Sequence, residues 1–286
     1  MRRRMSLLAR MIFTIVLLAW SMLASLFTWT DHASAGWIID EVVKAGGESG
    51  RQQVVLQANQ MKTLMFGKSG KLISAFTLNL NSETITQVDY EGRNYFTATI
   101  QEYAQTIRGA MTGAMKEMQE ALKDVPPEQR QMIEQMMRSQ MGQSGPATQE
   151  CREPRVELRK SDQQATIAGY SAVRYDVLAD GKLTSELWIA TGVTAWRELD
   201  QKKLERFAAE MAKLAGCSSS RSRQGLPGGD PSWKLVSEGY PVRTVDRGGS
   251  GATIEVVKME TRTIPAAEFQ PPPGFTRKML REMMGR

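Results

Sequence analysis

Alternating apolar and polar residues dominate the chain between residues 37 and 100. Leu72, Phe76, Leu78 and Leu80 keep a period of two, and short runs containing Gly and Asn interrupt the pattern. Alternation of this kind is typical of half-buried antiparallel strands. The region therefore predicts a β-meander that needs an apolar cover over one face.

The period changes to three and four residues between Ile100 and Leu122, where the apolar residues form one helical stripe. Pro126-Pro127 ends this helix because proline cannot continue one. A second apolar stripe predicts another helix up to about Met141. A Met-rich helical hairpin over residues 101–142 is therefore expected, and the composition of the next residues, 143–150, predicts a linker.

Strand patterns return after the linker, and Asp180-Gly181 is a strong hairpin-turn signal. The predicted elements here are strands at 155–160, 164–168, 171–178 and 183–189, a helix at 191–216, strands at 233–237, 240–246 and 253–264, and a basic helix at 277–286.

These elements predict an α+β fold. Its core is a curved antiparallel β-sheet, open like a half-barrel, with the Met-rich hairpin and the further helix packed on one face. We expect residues 36–286 to form a single domain, in which 151–276 is the second β/α half.

The first 35 residues have the pattern of a secretory signal peptide. Arg2 to Arg10 include four arginines, the run Met11–Trp29 carries no charge, and Ala33-Ser34-Ala35 supplies small residues before the expected cleavage between Ala35 and Gly36. An uncleaved membrane anchor is the alternative, since nineteen apolar residues are nearly enough to span a bilayer. A periplasmic or secreted location is predicted, with an inner-membrane anchor as the alternative.

Cleavage would change the charge and the available chemistry. The formal charge would fall from +6 to +3, so the high isoelectric point does not indicate nucleic-acid binding. His32, the single histidine, would also be lost. A chain without His has neither a Ser-His-Asp relay nor a usual zinc site, and no spacing singles out another catalytic pair. We therefore predict a non-enzymatic protein with no cofactor.

Cys151 and Cys217 are the two cysteines of the chain. In an oxidising compartment an even pair normally closes, and no C-x-x-C spacing suggests a redox site. We expect a structural disulfide, which in the chain-entropy model stabilises the fold by about 4 kcal/mol.

Half of the fourteen methionines after Ala35 lie between Met111 and Met141. Such a stripe is typical of core packing, and it is also typical of a pliable surface for a lipid, an acylated protein or another apolar partner. Gly109 and Gly113 weaken the first helix and favour a lid. The predicted ligand-binding residues are Ile107, Met111, Met115, Met118, Leu122, Ile133, Met136 and Met137.

Two other functions stay open at this point. The first is a structural or interaction module. In such a module the hairpin packs permanently, and the outer surface binds a protein partner of the cell envelope. Thioether ligands would instead select Cu(I), although the dense M-x-M repeats of such sites are missing from the sequence.

The segments Ile167–Ala172, Tyr175–Val177, Glu186–Ala190 and Ile264–Phe275 resemble a bacterial secreted family known as a domain of unknown function, of the DUF4412 type. The likeness lies mainly in residues 164–276 and more loosely in the meander at 37–100. More remotely, the chain is similar to periplasmic lipoprotein carriers of the LolA and LolB type. This resemblance implies an open β half-barrel with a helical lid over an apolar cavity, and it implies no catalytic residues.

The leader and the cysteines give the first testable prediction. The exported protein should have the intact mass of residues 36–286 less two hydrogens, because the leader is removed and the disulfide is closed. Mass spectrometry before and after reduction measures both changes. A soluble intracellular form that keeps residues 2–35 and two free thiols would contradict the prediction.

Overall fold

The structure is a computed structural model that describes residues 34–123, 155–215, 235 and 238–284. All twelve strands of these ranges belong to one open sheet, in the order β12-β6-β5-β4-β3-β2-β1-β11-β10-β9-β8-β7. The strands are β1 Ser34–Ala45, β2 Glu48–Gln57, β3 Gln60–Phe66, β4 Leu72–Asn79, β5 Thr84–Asp89, β6 Asn94–Thr99, β7 Val156–Ile167, β8 Tyr170–Ala179, β9 Lys182–Ala190, β10 Tyr240–Asp246, β11 Thr253–Ile264 and β12 Thr276–Arg277.

The sheet consists of two antiparallel meanders that meet at β1 and β11. The ladder between them runs from the pair Ser34 and Ile264 to the pair Lys44 and Thr253, with one bulge next to Asp40. Every neighbouring pair of strands is antiparallel except β12, which lies parallel to β6 at the edge of the sheet. Short turns join neighbouring antiparallel strands along the first meander, from β7 to β9, and from β10 to β11. The connection from β9 to β10 is long and contains the helix Gln201–Ala215.

The described residues contain three α-helices, α1 Ile100–Lys123, α2 Gln201–Ala215 and α3 Leu280–Met284, with 3-10 turns at Ala195–Glu198 and Ala266–Phe269. A capping box begins α1: the backbone N–H of Glu102 donates to Thr99 Oγ1 at 3.1 Å, and the backbone N–H of Thr99 donates to Glu102 Oε2 at 2.8 Å. No loop separates β6 from α1, so the first turns of the helix stay beside the end of that strand.

One face of the sheet, which we call the helix face, carries the largest core. Leu56, Leu78 and Ile85 are fully buried there, and Leu204 and Phe207 of α2 belong to the same cluster. Because successive side chains of a strand point to opposite faces, the alternation seen in the sequence assigns these residues to one side.

The opposite face, which we call the outer face, is covered over the first meander by the segment after β11. Phe269 is buried there with Ile38 and Val55. Lys62, whose side chain is 8% exposed, donates from Nζ to Glu268 Oε1 at 2.9 Å and to the carbonyl oxygen of Glu268 at 2.5 Å. A buried ammonium group needs such partners, so this ion pair fixes the position of the segment.

The turn between β2 and β3 connects the two meanders a second time. Asn59, with a φ of 68°, accepts a hydrogen bond on Oδ1 from the backbone N–H of Asp200 at 2.6 Å. Its own backbone N–H donates to the carbonyl oxygen of Glu198 at 2.7 Å, and its Nδ2 donates to Asn81 Oδ1 at 3.1 Å. The segment that leads into α2 is thereby held against the first meander.

The predicted fold class is confirmed: the molecule is α+β, with an open, curved, mainly antiparallel sheet and helices on one face. The second helix of the predicted hairpin, the linker at 143–150, Cys151, Cys217 and residues 1–33 lie outside the described residues. The strand β1 begins at Ser34, two residues before the expected cleavage point.

Several predicted boundaries are wrong. The helix expected from Thr191 begins at Gln201, because Asp200 caps it by accepting the backbone N–H of Lys203 on Oδ1 at 3.0 Å. Two strands expected at 155–160 and 164–168 are the single strand β7, which contains a bulge after Lys160.

Two further corrections concern the C-terminal part of the chain. Leu235, expected within a strand, has a 3-10 conformation instead. Its carbonyl oxygen accepts the backbone N–H of Glu238 at 2.9 Å. Arg277, expected in a helix, belongs to β12 because the chain pairs with the edge of β6 before α3 begins.

The contacts of Asn59 predict the effect of its removal. Asn59→Gly keeps the positive φ but loses the side-chain bonds to Asp200 and Asn81, so the free energy of unfolding should fall by about 1–2 kcal/mol. Ala58→Gly is the matched control, because Ala58 has a φ of 46° in the same turn and its change should stay within about 0.5 kcal/mol. Urea unfolding measures both, and equal effects would contradict the role of the Asn59 side chain.

Candidate functional site

A pocket of about 450 Å³ lies between the first meander, α1 and α3 on the helix face. Its volume is within the usual range for small-molecule sites. It is lined by Ser74, Gln87, Val88, Asp89, Phe96, Tyr103, Ile107, Leu280 and Met283.

Three side chains of β6 and α1 form an apolar wall of the pocket. Phe96 of β6 is 1% exposed, and the ring of Tyr103 stacks on it with centroids 6.1 Å apart and an interplanar angle of 16°. Ile107 follows Tyr103 by one helical turn, so both side chains lie on the same face of α1. Burial raises the pKa of Tyr103, which therefore stays a neutral phenol at physiological pH.

The C-terminal segment supplies the remaining apolar wall. The backbone N–H of Thr276 donates to the carbonyl oxygen of Arg93 at 3.0 Å, and that of Lys278 donates to the carbonyl oxygen of Tyr95 at 2.8 Å. These bonds lead the chain from the outer face around the edge of the sheet. The short helix α3 then places Leu280 and Met283, three residues apart, in the pocket.

Polarity changes in steps along the strands of the helix face. Residues that are paired in register across β1 to β6 form rows perpendicular to the strands. Successive rows on the helix face are separated by two residues along each strand. The apolar row is Trp37, Leu56, Met61, Leu78, Ile85 and Ala98; the middle row is Ile39, Val54, Thr63, Phe76, Gln87 and Phe96; the polar row is Glu41, Gln52, Met65, Ser74, Asp89 and Asn94. The pocket lies over the middle and polar rows, so one end of it is polar.

Glu41, in the polar row, is a buried acid at 6% exposure. Its Oε2 accepts from Gln52 Nε2 at 2.5 Å, and its Oε1 accepts from Tyr240 Oη at 3.0 Å. Burial raises the pKa of Glu41, although both hydrogen bonds act in the opposite direction. Burial and the nearby Glu41 carboxyl raise the pKa of Tyr240 well above its ordinary value. This pair joins β1 to β10 across the junction of the meanders.

One of the predicted ligand-binding residues, Ile107, lines the pocket. Leu122 is half-buried near the end of α1 and does not line it. Met111, Met115 and Met118 lie on α1, but their side chains are outside what the structure describes, as are Ile133, Met136 and Met137 altogether. The part of the prediction that concerns these six residues stays a prediction.

Sequence reasoning did not identify the other lining residues. Tyr103 belonged to the recognised stripe of α1 and precedes Ile107 by four residues, which was a usable signal. Phe96 was one apolar strand residue among many. Leu280 and Met283 are far from α1 in the sequence, so the pattern contained no sign of their position.

Two further properties follow from the described ranges, 34–123, 155–215, 235 and 238–284. No group of three or more His, Cys, Asp or Glu side chains in them is placed to hold a metal ion. No helix in them combines the length and the apolar character needed to cross a bilayer.

A family described as a domain of unknown function, DUF4412, matches residues 92–275, which is more than half of the chain. The chain belongs to this family. The resemblance to DUF4412 inferred from the sequence is confirmed. The matched region adds residues 101–163 to the expected likeness and does not reach residues 37–91. A search of curated proteins finds no match.

Solved structures give distant likenesses to this DUF4412 protein. An uncharacterized conserved protein from Thermus thermophilus is 10% identical with a TM-score of 0.41, covering 87% of this chain and 91% of that one. A chain from the complex of MucA and MucB of Pseudomonas aeruginosa is 9% identical with a TM-score of 0.35, covering 85% and 57%. PNGF-II is 9% identical with a TM-score of 0.37, covering 88% and 32%. At these scores the likenesses carry no inference about function.

The buried acid predicts a pH dependence of stability. Because the pKa of Glu41 is raised in the folded state, the folded protein binds the proton more tightly than the unfolded chain. Its contribution to stability is therefore present below the ordinary value of 4.5 and is lost as the pH rises through the raised value. Glu41→Gln should remove this loss, so the variant should gain stability relative to the wild type as the pH rises to 7.

Thermal unfolding between pH 4 and pH 8 measures the difference. Glu91→Gln, at an exposed turn position, is the control for the removal of one negative charge. A constant difference between Glu41→Gln and the wild type across this range would show that the acid does not titrate as its burial implies.

Proposed function

We propose that the protein is a non-enzymatic cell-envelope protein that binds the hydrocarbon chain of a lipid or of an acylated protein between its sheet and α1. The observation that carries this proposal is the pocket beneath α1, which the predicted residue Ile107 lines together with Phe96 and Tyr103. A cavity on the covered face of the sheet is what a binding protein of this type requires.

The lining supports an apolar ligand. Phe96, Ile107, Leu280 and Met283 present hydrocarbon or thioether surface, and each methylene group of a ligand buried there would contribute about 0.8 kcal/mol. Met adapts to chains of different shape because it is unbranched and has three rotatable bonds. A hydrocarbon chain of variable length fits this lining better than a rigid polar molecule.

The chemistry of the pocket supports a role without catalysis. The hydroxyl group of Ser74 forms no hydrogen bond with a base among the residues that the structure describes, and Tyr103 stays protonated at physiological pH. Nucleophilic catalysis needs a nucleophile in contact with a base. The pocket instead provides surface and a few polar groups, which are sufficient for binding.

The leader supports an envelope location. Basic residues, an uncharged run and a small-residue exit precede Gly36. A protein exported in this way meets membrane lipids and acylated proteins in the compartment where a carrier of hydrocarbon chains would work.

The two glycines of α1 support its movement as a lid. Gly109 and Gly113 are exposed, and a Cβ atom added at either position would meet nothing within 4 Å. Neither glycine is therefore required for close packing. Each lowers the helical stability by about 1 kcal/mol relative to Ala, which makes the opening of α1 easier.

Binding of a fluorescent acyl probe tests the proposal. Ile107→Glu should weaken binding at least about tenfold, because it places an unpaired charge on the apolar wall. Val257→Glu is the control, since Val257 is 53% exposed on β11 and does not line the pocket. Lipid extraction of the purified protein followed by mass spectrometry should also recover a bound amphiphile. The absence of binding in both measurements would reject the function.

The glycines give a separate prediction about the lid. The double variant Gly109→Ala and Gly113→Ala should stabilise α1 by about 1–2 kcal/mol and should slow the release of the probe. Hydrogen exchange of α1 and stopped-flow release measure the two effects. If α1 in the wild type resists exchange as long as the strands, the helix is a permanent part of the core, as expected for an interaction module that meets a protein partner.

A further inference from the structure

The polar end of the pocket has three neutral hydrogen-bonding groups available to a ligand. They are the Ser74 hydroxyl, the Gln87 amide and the Tyr103 phenol, and none of them has a hydrogen-bond partner among residues 34–123, 155–215, 235 and 238–284. Gln87 is exposed, so this end of the pocket opens to solvent. A ligand head group placed here would exchange bonds to water for bonds to these side chains.

Asp89 is the one charged side chain that lines the pocket in the described part of the chain. Its Oδ1 accepts the backbone N–H groups of Glu91 and Gly92, both at 3.0 Å. Its Oδ2 has only a long contact of 3.4 Å from Asn94 Nδ2, and no described Lys or Arg forms an ion pair with it. One oxygen of this carboxylate is thus held by the turn, and the other retains most of its capacity to accept hydrogen bonds.

Strand register sets where the polar and the apolar groups lie. Ser74 and Asp89 are direct neighbours in the polar row, and Gln87 and Phe96 are direct neighbours in the middle row. An amphiphile whose chain lies against Phe96 and Ile107 therefore presents its head group to Ser74 and Asp89.

From this arrangement we infer that the pocket selects single-chain amphiphiles whose head group donates hydrogen bonds and carries no negative charge, with an ammonium group bound best. This inference rests on the proposed function and adds the class of head group to it. The Asp89 carboxylate attracts an ammonium group, accepts a hydrogen bond from a hydroxyl group and repels a carboxylate or a phosphate.

Three probes with the same dodecyl chain and different head groups test the inference: dodecylammonium, dodecanol and dodecanoate. Each competes with the fluorescent acyl probe at pH 7, below the concentration at which it forms micelles. Dodecylammonium should bind about tenfold more tightly than dodecanoate, and dodecanol should lie between them. Higher salt should weaken the binding of dodecylammonium more than that of dodecanol.

Substitutions identify the group responsible. Asp89→Asn keeps one oxygen for the turn and removes the charge, so it should lower the ratio of dodecylammonium affinity to dodecanol affinity. Glu91→Gln, which removes a charge two residues away outside the pocket, should leave this ratio unchanged. If Asp89→Asn does not fold, the salt dependence of the wild type still tests the inference.

The outcomes separate the two proposals. If none of the three probes binds, the proposed function fails together with this inference. If the probes bind equally well, or if dodecanoate binds best, the pocket accepts hydrocarbon chains and the inference about the head group is wrong.

Discussion

The pairing of β1 with β11 is the constraint on which the rest of the molecule depends. It joins segments at opposite ends of the described chain, and without it each meander would be a separate sheet with an open edge. The contact of Glu41 with Tyr240 and the contact of Asn59 with Asp200 both cross this junction. Both contacts reinforce the junction, because the groups they link come from segments far apart in the sequence. Proteins rich in such long-range pairing fold slowly.

The position of the pocket follows from local chemistry on the first meander. Since α1 begins immediately after β6, the helix covers the strands next to it, while the strand register grades the surface below from apolar to polar. A pocket formed at this place has one apolar end and one polar end that is open to solvent. The same sheet face closer to β1 carries large side chains such as Trp37 and Leu56, which belong to the main core.

Much of the fold could be predicted from the sequence, because strand alternation is a local signal. The bounds of β10 and β11 agree with the pattern, and the helical stripe of α1 contains Ile107. Pairing between distant segments is not visible in a single pattern, which explains why β12 and the contribution of Leu280 were missed. Local capping also overrides periodicity: Asp200 sets the start of α2 well beyond the point that the apolar pattern indicated. The binding roles of Met111, Met115, Met118, Ile133, Met136 and Met137 stay a prediction.

The route of the C-terminal segment has a consequence for proteolysis of the protein. The segment crosses the outer face, and β12 then pairs with Asn94 and Tyr95 at the edge of β6. It ends in α3, which forms one wall of the pocket. Proteolytic loss of residues after Phe275 would therefore open the cavity and uncover a strand edge in a single event. Uncovered edges promote self-association. A clipped molecule would thus lack one wall of the pocket and tend to aggregate, even though β1 to β11 are all present.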